Sequence, residues 1–182
     1  HSYDRMIDLV QLAEDYLHEQ GAWELKESPQ TPPSNKTGMI IASLRKQVST
    51  VAGQPMVVSK HNNSETMAFV SSDDLNNIAC QGPATPEHVI RTKRLPRIGK
   101  DIDAYVKEYQ KYFYENEPLA KERKTILDCA PRVILDPEMG MCTIGRSIKD
   151  ANIVADIYKH TMRTIQRSEL LGGYRALPAK DI

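Results

Sequence analysis

The sequence predicts an α/β fold with more helix than strand, a mostly antiparallel sheet flanked by helices. Three observations lead there. Apolar residues recur at helical spacing in several long stretches. Short runs of aliphatic and β-branched residues lie near 55–70 and 132–145. A strand–strand–helix order closes the chain, and helix, hairpin and helix follow one another in its middle.

Met6, Leu9, Val10, Ala13, Tyr16 and Leu17 form the stripe of an amphipathic helix over 3–20. Residues 26–37 are polar and proline-rich, a linker and the best internal boundary. Ile40, Ile41, Leu44, Val48 and Val51 predict a second helix from Met39 to Ala52. Pro55 to Ser59 and Thr66 to Val70 are β-rich runs around the polar stretch His61-Asn62-Asn63-Ser64, the pattern of a hairpin. Ser72, with Asp73 and Asp74 behind it, starts a helix to about Cys80. After a Gly-Pro loop, Thr85 can cap and Pro86 suits the first position of a short helix through His88 and Ile90. Ile102, Tyr105, Val106, Tyr109, Tyr112 and Phe113 mark a third long helix near 101–114, and the charged stretch 115–128 is a loop. Arg132 to Asp136 and Met139 to Gly145 are strands joined through a Pro137 turn. Ser147 then caps a helix near 148–169, with the stripe Ala151, Val154, Ala155, Tyr158, Met162 and Ile165 and a Gly172-Gly173 stop.

The chain has 182 residues, enough for one domain or one domain plus an extension. Lys+Arg and Asp+Glu both total 24, so no global field draws it to nucleic acid or an acidic membrane. With 40% hydrophobic and 26% charged residues, it is not disordered by composition. No apolar run is long enough to span a bilayer. The first residues are neither a signal peptide nor a starting methionine context, so the sequence is expected to be a piece of a longer chain. The three cysteines, Cys80, Cys129 and Cys142, are widely spaced. Free buried thiols in a reducing cytoplasm are the expected state.

The local patterns that carry chemistry are sparse. The five histidines make no pair at metal-ligand spacing. There is no Gly-rich nucleotide-binding turn and no Gly-x-Ser-x-Gly elbow. One segment stands out: Arg91, Lys93, Arg94 and Arg97 crowd behind the helix start at Thr85 and His88. A capped helix start plus several cations suits a phosphate or carboxylate. The candidate anion site is therefore Thr85, His88, Arg91, Lys93 and Arg94. The alternative is a solvated basic loop paired with acids elsewhere. Tyr105, Tyr109, Tyr112 and Tyr114 sit at helical spacing and read as core and interface rather than as a stacking platform.

The long segment Gly82-Pro-Ala-Thr-Pro-Glu-His-Val-Ile-Arg-Thr-Lys-Arg-Leu-Pro96 resembles a stretch of the bifunctional rhamnulose-1-phosphate aldolase/alcohol dehydrogenase family. Those proteins join a class II aldolase/adducin-like part to a short-chain dehydrogenase. Ser2-Tyr3-Asp4-Arg5-Met6-Ile7 looks like the helix that follows the aldolase part's last strand. Residues 151–182, with Thr161 and Gly172-Gly173-Tyr174-Arg175-Ala176-Leu177-Pro178, look like the lead-in to the dehydrogenase part. The resemblance implies three stretches: 1–25 as the terminal helix of a preceding aldolase-like domain, 26–37 as linker, and 38–182 as an aldolase-like linking domain. It also implies that the divalent metal belongs to an aldolase domain and NAD to a dehydrogenase domain, neither of them in this chain. Arg132 to Gly145 and the helix after it look like the closing strands and helix of a class II aldolase domain. That pattern carries a metal-ligating histidine just before its glycine, where this chain has Met139 before Gly140.

Three functions follow from these readings. The first is a non-catalytic middle domain that positions or oligomerises flanking catalytic domains of a rhamnose-pathway enzyme. Its partners would be those domains or a homo-oligomer, with no nucleic acid and no membrane. The second is an enzyme domain acting on a phosphorylated sugar through His88, Arg91 and Lys93. The third is a free-standing interaction module.

Overall fold

In the computed structural model, which describes residues 1–25, 27–29 and 35–182, the chain alternates helices and strands. It runs α1 (Ser2–Glu19), α2 (Asn35–Ala52), β1 (Val57–His61), α3 (Ser64–Val70), α4 (Leu75–Ala79), α5 (Val89–Thr92) and β2 (Arg97–Ile98). Then come α6 (Ile102–Asn116), β3 (Val133–Asp136), β4 (Gly140–Gly145) and α7 (Ile148–Leu170). The strands form one four-stranded sheet in the order β1-β4-β3-β2. β4 pairs antiparallel with both β1 and β3, and β2 adds parallel to β3. The sheet is thus mostly antiparallel and flanked by helices, as the sequence predicts.

Every residue of β3 and β4 is buried, because helices cover both faces of the sheet. Val133, Leu135 and Met141 face a core with Val154, Tyr158, Met162 and Ile165 of α7 and with residues of α3 and α4. Ile134, Cys142 and Ile144 face a second core with Leu44 and Val48 of α2 and Ile102 of α6. A strand buried on both sides has no polar alternation, which is why Val133-Ile134-Leu135 is an unbroken apolar run. The β3–β4 turn is built by Asp136. Its Oδ1 accepts from the backbone N–H of Glu138 at 3.0 Å and of Met139 at 3.2 Å. Gly140 closes that turn at φ +89°, where a Cβ would lie 2.3 Å from the His61 carbonyl oxygen.

The structure corrects the expected hairpin. β1 does not pair with residues 66–70; it pairs with β4, Val57 opposite Gly145 and His61 opposite Met141. Residues 64–70 are α3, started by Asn63, whose side chain accepts from the Thr66 N–H. A cap and a buried face for Thr66, Met67, Phe69 and Val70 override the β propensity of that run. The next helix begins at Leu75 with Asp74 as its cap position, not at Ser72. β2 was not foreseen, being only two residues long. The expected linker 26–37 falls partly outside the described residues.

α1 forms as expected, yet none of its residues is buried. The chain docks just behind it. Ala22 is fully buried, and the Arg167 guanidinium lies 4.6 Å over the Trp23 ring.

Candidate functional site

The basic segment follows α4 and lays Lys93 and Arg94 over tyrosine rings of α6. Pro86–His88 is a single 3-10 turn, and Thr85 at its cap position makes no side-chain capping bond. α5 follows, tied back by the Thr92 hydroxyl, which donates to the His88 carbonyl at 3.0 Å. Lys93 ends α5 at φ 63°, the one non-glycine residue with positive φ among the described residues. The reversal turns the chain so that its next side chains lie against the tyrosines of α6.

Lys93 is 4% exposed. Its Nζ donates to the Asp128 carbonyl at 2.6 Å and sits 4.2 Å from the Tyr109 ring centroid. It therefore does not present its charge to solvent as expected. Burial, then the Arg132 guanidinium, draws its pKa down to about 8 against the raising effect of Asp128 and Cys129. Arg94 donates to the Gln81 carbonyl at 3.1 Å and lies 5.2 Å over Tyr112. His88 meets His160 edge-on at 6.2 Å. Burial and then the His160 charge lower its pKa, against Glu87.

The five candidate residues thus do not converge. Arg91 alone of them lines a cleft of about 330 Å³ between α5, the end of β4 and the start of α7. Arg132 and Arg146 line the same cleft, with Asp128 and Asp150. Arg132 is fixed by two bonds to the Asp128 carboxylate and one, at 2.9 Å, to the Ala130 carbonyl. That pairing holds Asp128 below the usual carboxylate range; burial raises it, and the Arg132 hydrogen bond and charge outweigh burial. Arg91 and Arg146 make no hydrogen bond or ion pair among the described residues. The cleft's floor includes Met56, Ile144, Gly145 and Val154. It adjoins the start of α7, where Ser147 accepts from the Asp150 N–H and the helix dipole adds positive potential.

Arg132 and Arg146 escaped the sequence reading because they lie far from Arg91 along the chain. Their one local signal is position: Arg132 directly precedes a strand, and Arg146 stands between a strand-ending glycine and a helix cap.

The residues present do not fit a divalent metal. Met139 is 1% exposed and packed with Leu44, Val48, Ile102 and Ile144, so its thioether is a core group. Among the described residues no three His, Cys, Asp or Glu side chains are close enough to hold an ion. Neither strand-to-helix connection has a glycine-rich turn. The β2–α6 connection has Gly99 alone, and the β4–α7 connection has Gly145 alone, whose absent Cβ would meet the Ala151 nitrogen at 2.4 Å. No helix among the described residues is long and apolar enough to cross a membrane.

Comparison with known proteins places these features. A family model described as aldolase class II, second domain, matches residues 35–182. A Bacillus subtilis (strain 168) protein named uncharacterized oxidoreductase YuxG is 24% identical over 197 residues. That match takes in 96% of this chain and 28% of the relative, so the chain spans little more than a quarter of that protein's length. No solved structure matches.

Proposed function

Because the chain belongs to the aldolase class II second-domain family, we propose that it is a non-catalytic middle domain of a longer sugar-phosphate aldolase and short-chain dehydrogenase. It positions the flanking catalytic domains or holds copies of the protein together. Met139 carries this reading: at the place where the resemblance calls for a metal ligand, the chain has a methionine buried in the core. The unburied α1 supports it, since a flanking domain would cover that face. The metal and NAD are held by other parts of the longer protein, which acts in carbohydrate metabolism. Calorimetric titration of the chain with zinc and with NAD, beside aldol-cleavage and NAD-reduction assays, tests the proposal. No stoichiometric binding and no turnover are expected. Tight one-to-one binding of either would overturn it.

One observation favours a second reading, an enzyme domain acting on a phosphorylated sugar. Arg91 and Arg146 are guanidinium groups without a hydrogen bond or ion pair among the described residues, at a cleft whose third arginine is held in place. Guanidinium groups are suited to bidentate phosphate binding. Titration with inorganic phosphate and with sulfate, on wild type and Arg91→Glu, decides it. Binding lost in the variant at unchanged thermal midpoint supports the site; equal binding or none removes it.

A further inference from the structure

We propose that Lys93 is a carbonyl-reactive amine, placed to form a reversible imine with a small aldehyde or ketone that enters the cleft beside α6. This role is independent of the one proposed above and does not require turnover.

Four observations meet at this residue. Lys93 lines a cleft of about 530 Å³, separate from the arginine cleft but sharing Ile90 and Leu127 as a wall. Tyr109, Tyr112 and Phe113 give that cleft an aromatic side, and Glu117, Lys124, Lys180 and Asp181 give it charged groups. Apolar walls with polar groups between them suit a small polar carbonyl compound. Second, the ammonium is buried with a backbone carbonyl and a ring face as its partners, and among the described residues no carboxylate pairs with it. A ring face attracts the cation but does not neutralise it as a buried counter-ion would. Third, the backbone is held in the left-handed region at a residue that has a Cβ. Such conformations cluster at functional sites. Fourth, burial lowers the amine to about 8. Near pH 7 its neutral fraction exceeds that of an ordinary lysine by roughly two orders of magnitude.

The step balances without a further reactant. The Nζ lone pair adds to the carbonyl carbon, and the carbonyl oxygen takes up a proton released by the nitrogen. The hydroxyl then leaves as water with the second nitrogen proton, and the nitrogen lone pair completes the C=N bond to Nζ. Burial and then Arg132, just before β3, lower the amine, while Asp128 and Cys129 on the preceding loop raise it; the Tyr109 ring faces it from α6, and Glu117, Lys124, Lys180 and Asp181 line the same cleft. A buried, uncharged lysine is the form in which this side chain acts as a nucleophile.

Reductive alkylation tests the inference on the unmutated chain. Propanal and cyanoborohydride are added near pH 7, and peptide mapping separates Lys93 from the other twelve lysines and from the α-amino group of His1. In each adduct the hydride converts the imine to a secondary amine. Lys93 is expected to react about tenfold or more faster than the median exposed lysine, with a rate midpoint near pH 8. Lys93→Arg, which keeps the charge, should lose that adduct and no other, with an unchanged far-UV spectrum. Labelling spread evenly over surface lysines, or labelling of Lys93 only after unfolding in urea, would overturn the proposal.

Discussion

A methyl group added at Gly145 would lie 2.4 Å from the Ala151 nitrogen and 2.7 Å from the Asp150 Cβ. Neither atom is the free end of a flexible side chain. Gly145→Ala should therefore cost about 1–3 kcal/mol by overpacking, read as a fall of roughly 2–4 °C in thermal midpoint per kcal/mol. An unchanged midpoint would mean that β4 and α7 are further apart than described. His61 gives a second residue-scale expectation. Its Nε2 lies 2.9 Å from the Thr143 hydroxyl oxygen. Burial and then the Lys159 charge lower its pKa, against Asp156. The folded value lies below the unfolded one, so the unfolded chain binds more protons between the two. Stability from this group is full above about 6.5 and is lost as pH falls through the folded value. A fall in thermal midpoint on acidification, shallower in His61→Gln, is the expected result. At this scale the sequence was only partly legible. The Ser147 cap and the Gly172-Gly173 stop are local signals and are legible in the sequence. Arg91, Arg132 and Arg146 share a cleft only because strand pairing brings distant stretches together, and no local pattern records that.

Among the elements, α7 is capped by a side chain at its start. Ser147 Oγ accepts the Asp150 N–H at 3.1 Å and meets one of the donors that a helix start leaves open. Ser147→Ala is expected to lower stability by about 1 kcal/mol, and Ser147→Asp to retain most of it. Chemical denaturation with unchanged slope would check both. The contrast between α7 and α3 shows what a sequence can and cannot declare about an element. α7 has a cap, a long apolar stripe and a glycine stop, so each local signal agrees with its tertiary place. Residues 66–70 have β-forming side chains and only Asn63 to argue for a helix. Packing against β4 and α7 settles the matter, and packing is not written locally. β2 is illegible for a different reason: two residues become a strand because Ile134 and Leu135 already stand beside them.

On the scale of the whole molecule, α1 and the sheet stand apart in what they contribute. Leu9, Val10 and Tyr16 are each about half exposed. Val10→Lys combined with Tyr16→Lys should leave the thermal midpoint nearly unmoved, within about 0.5 kcal/mol per change. Ile165→Ala, by contrast, removes a fully buried side chain and should cost about 2–5 kcal/mol. A large loss from the α1 changes would show that this helix packs on the domain after all. The sheet order has a consequence for how the chain is made. β1 pairs with β4 and with no strand nearer in sequence, His61 meeting Met141 and Val57 meeting Gly145. β3, β4 and α7 are consecutive in the chain and meet through short connections, whereas β1 must close a long loop to join them. At a synthesis rate of about 5–20 residues per second, β1 is made roughly 4–16 s before its partner strand. Through that interval Val57 and Val58 have no ladder to enter, and a nascent chain halted before residue 140 offers them none.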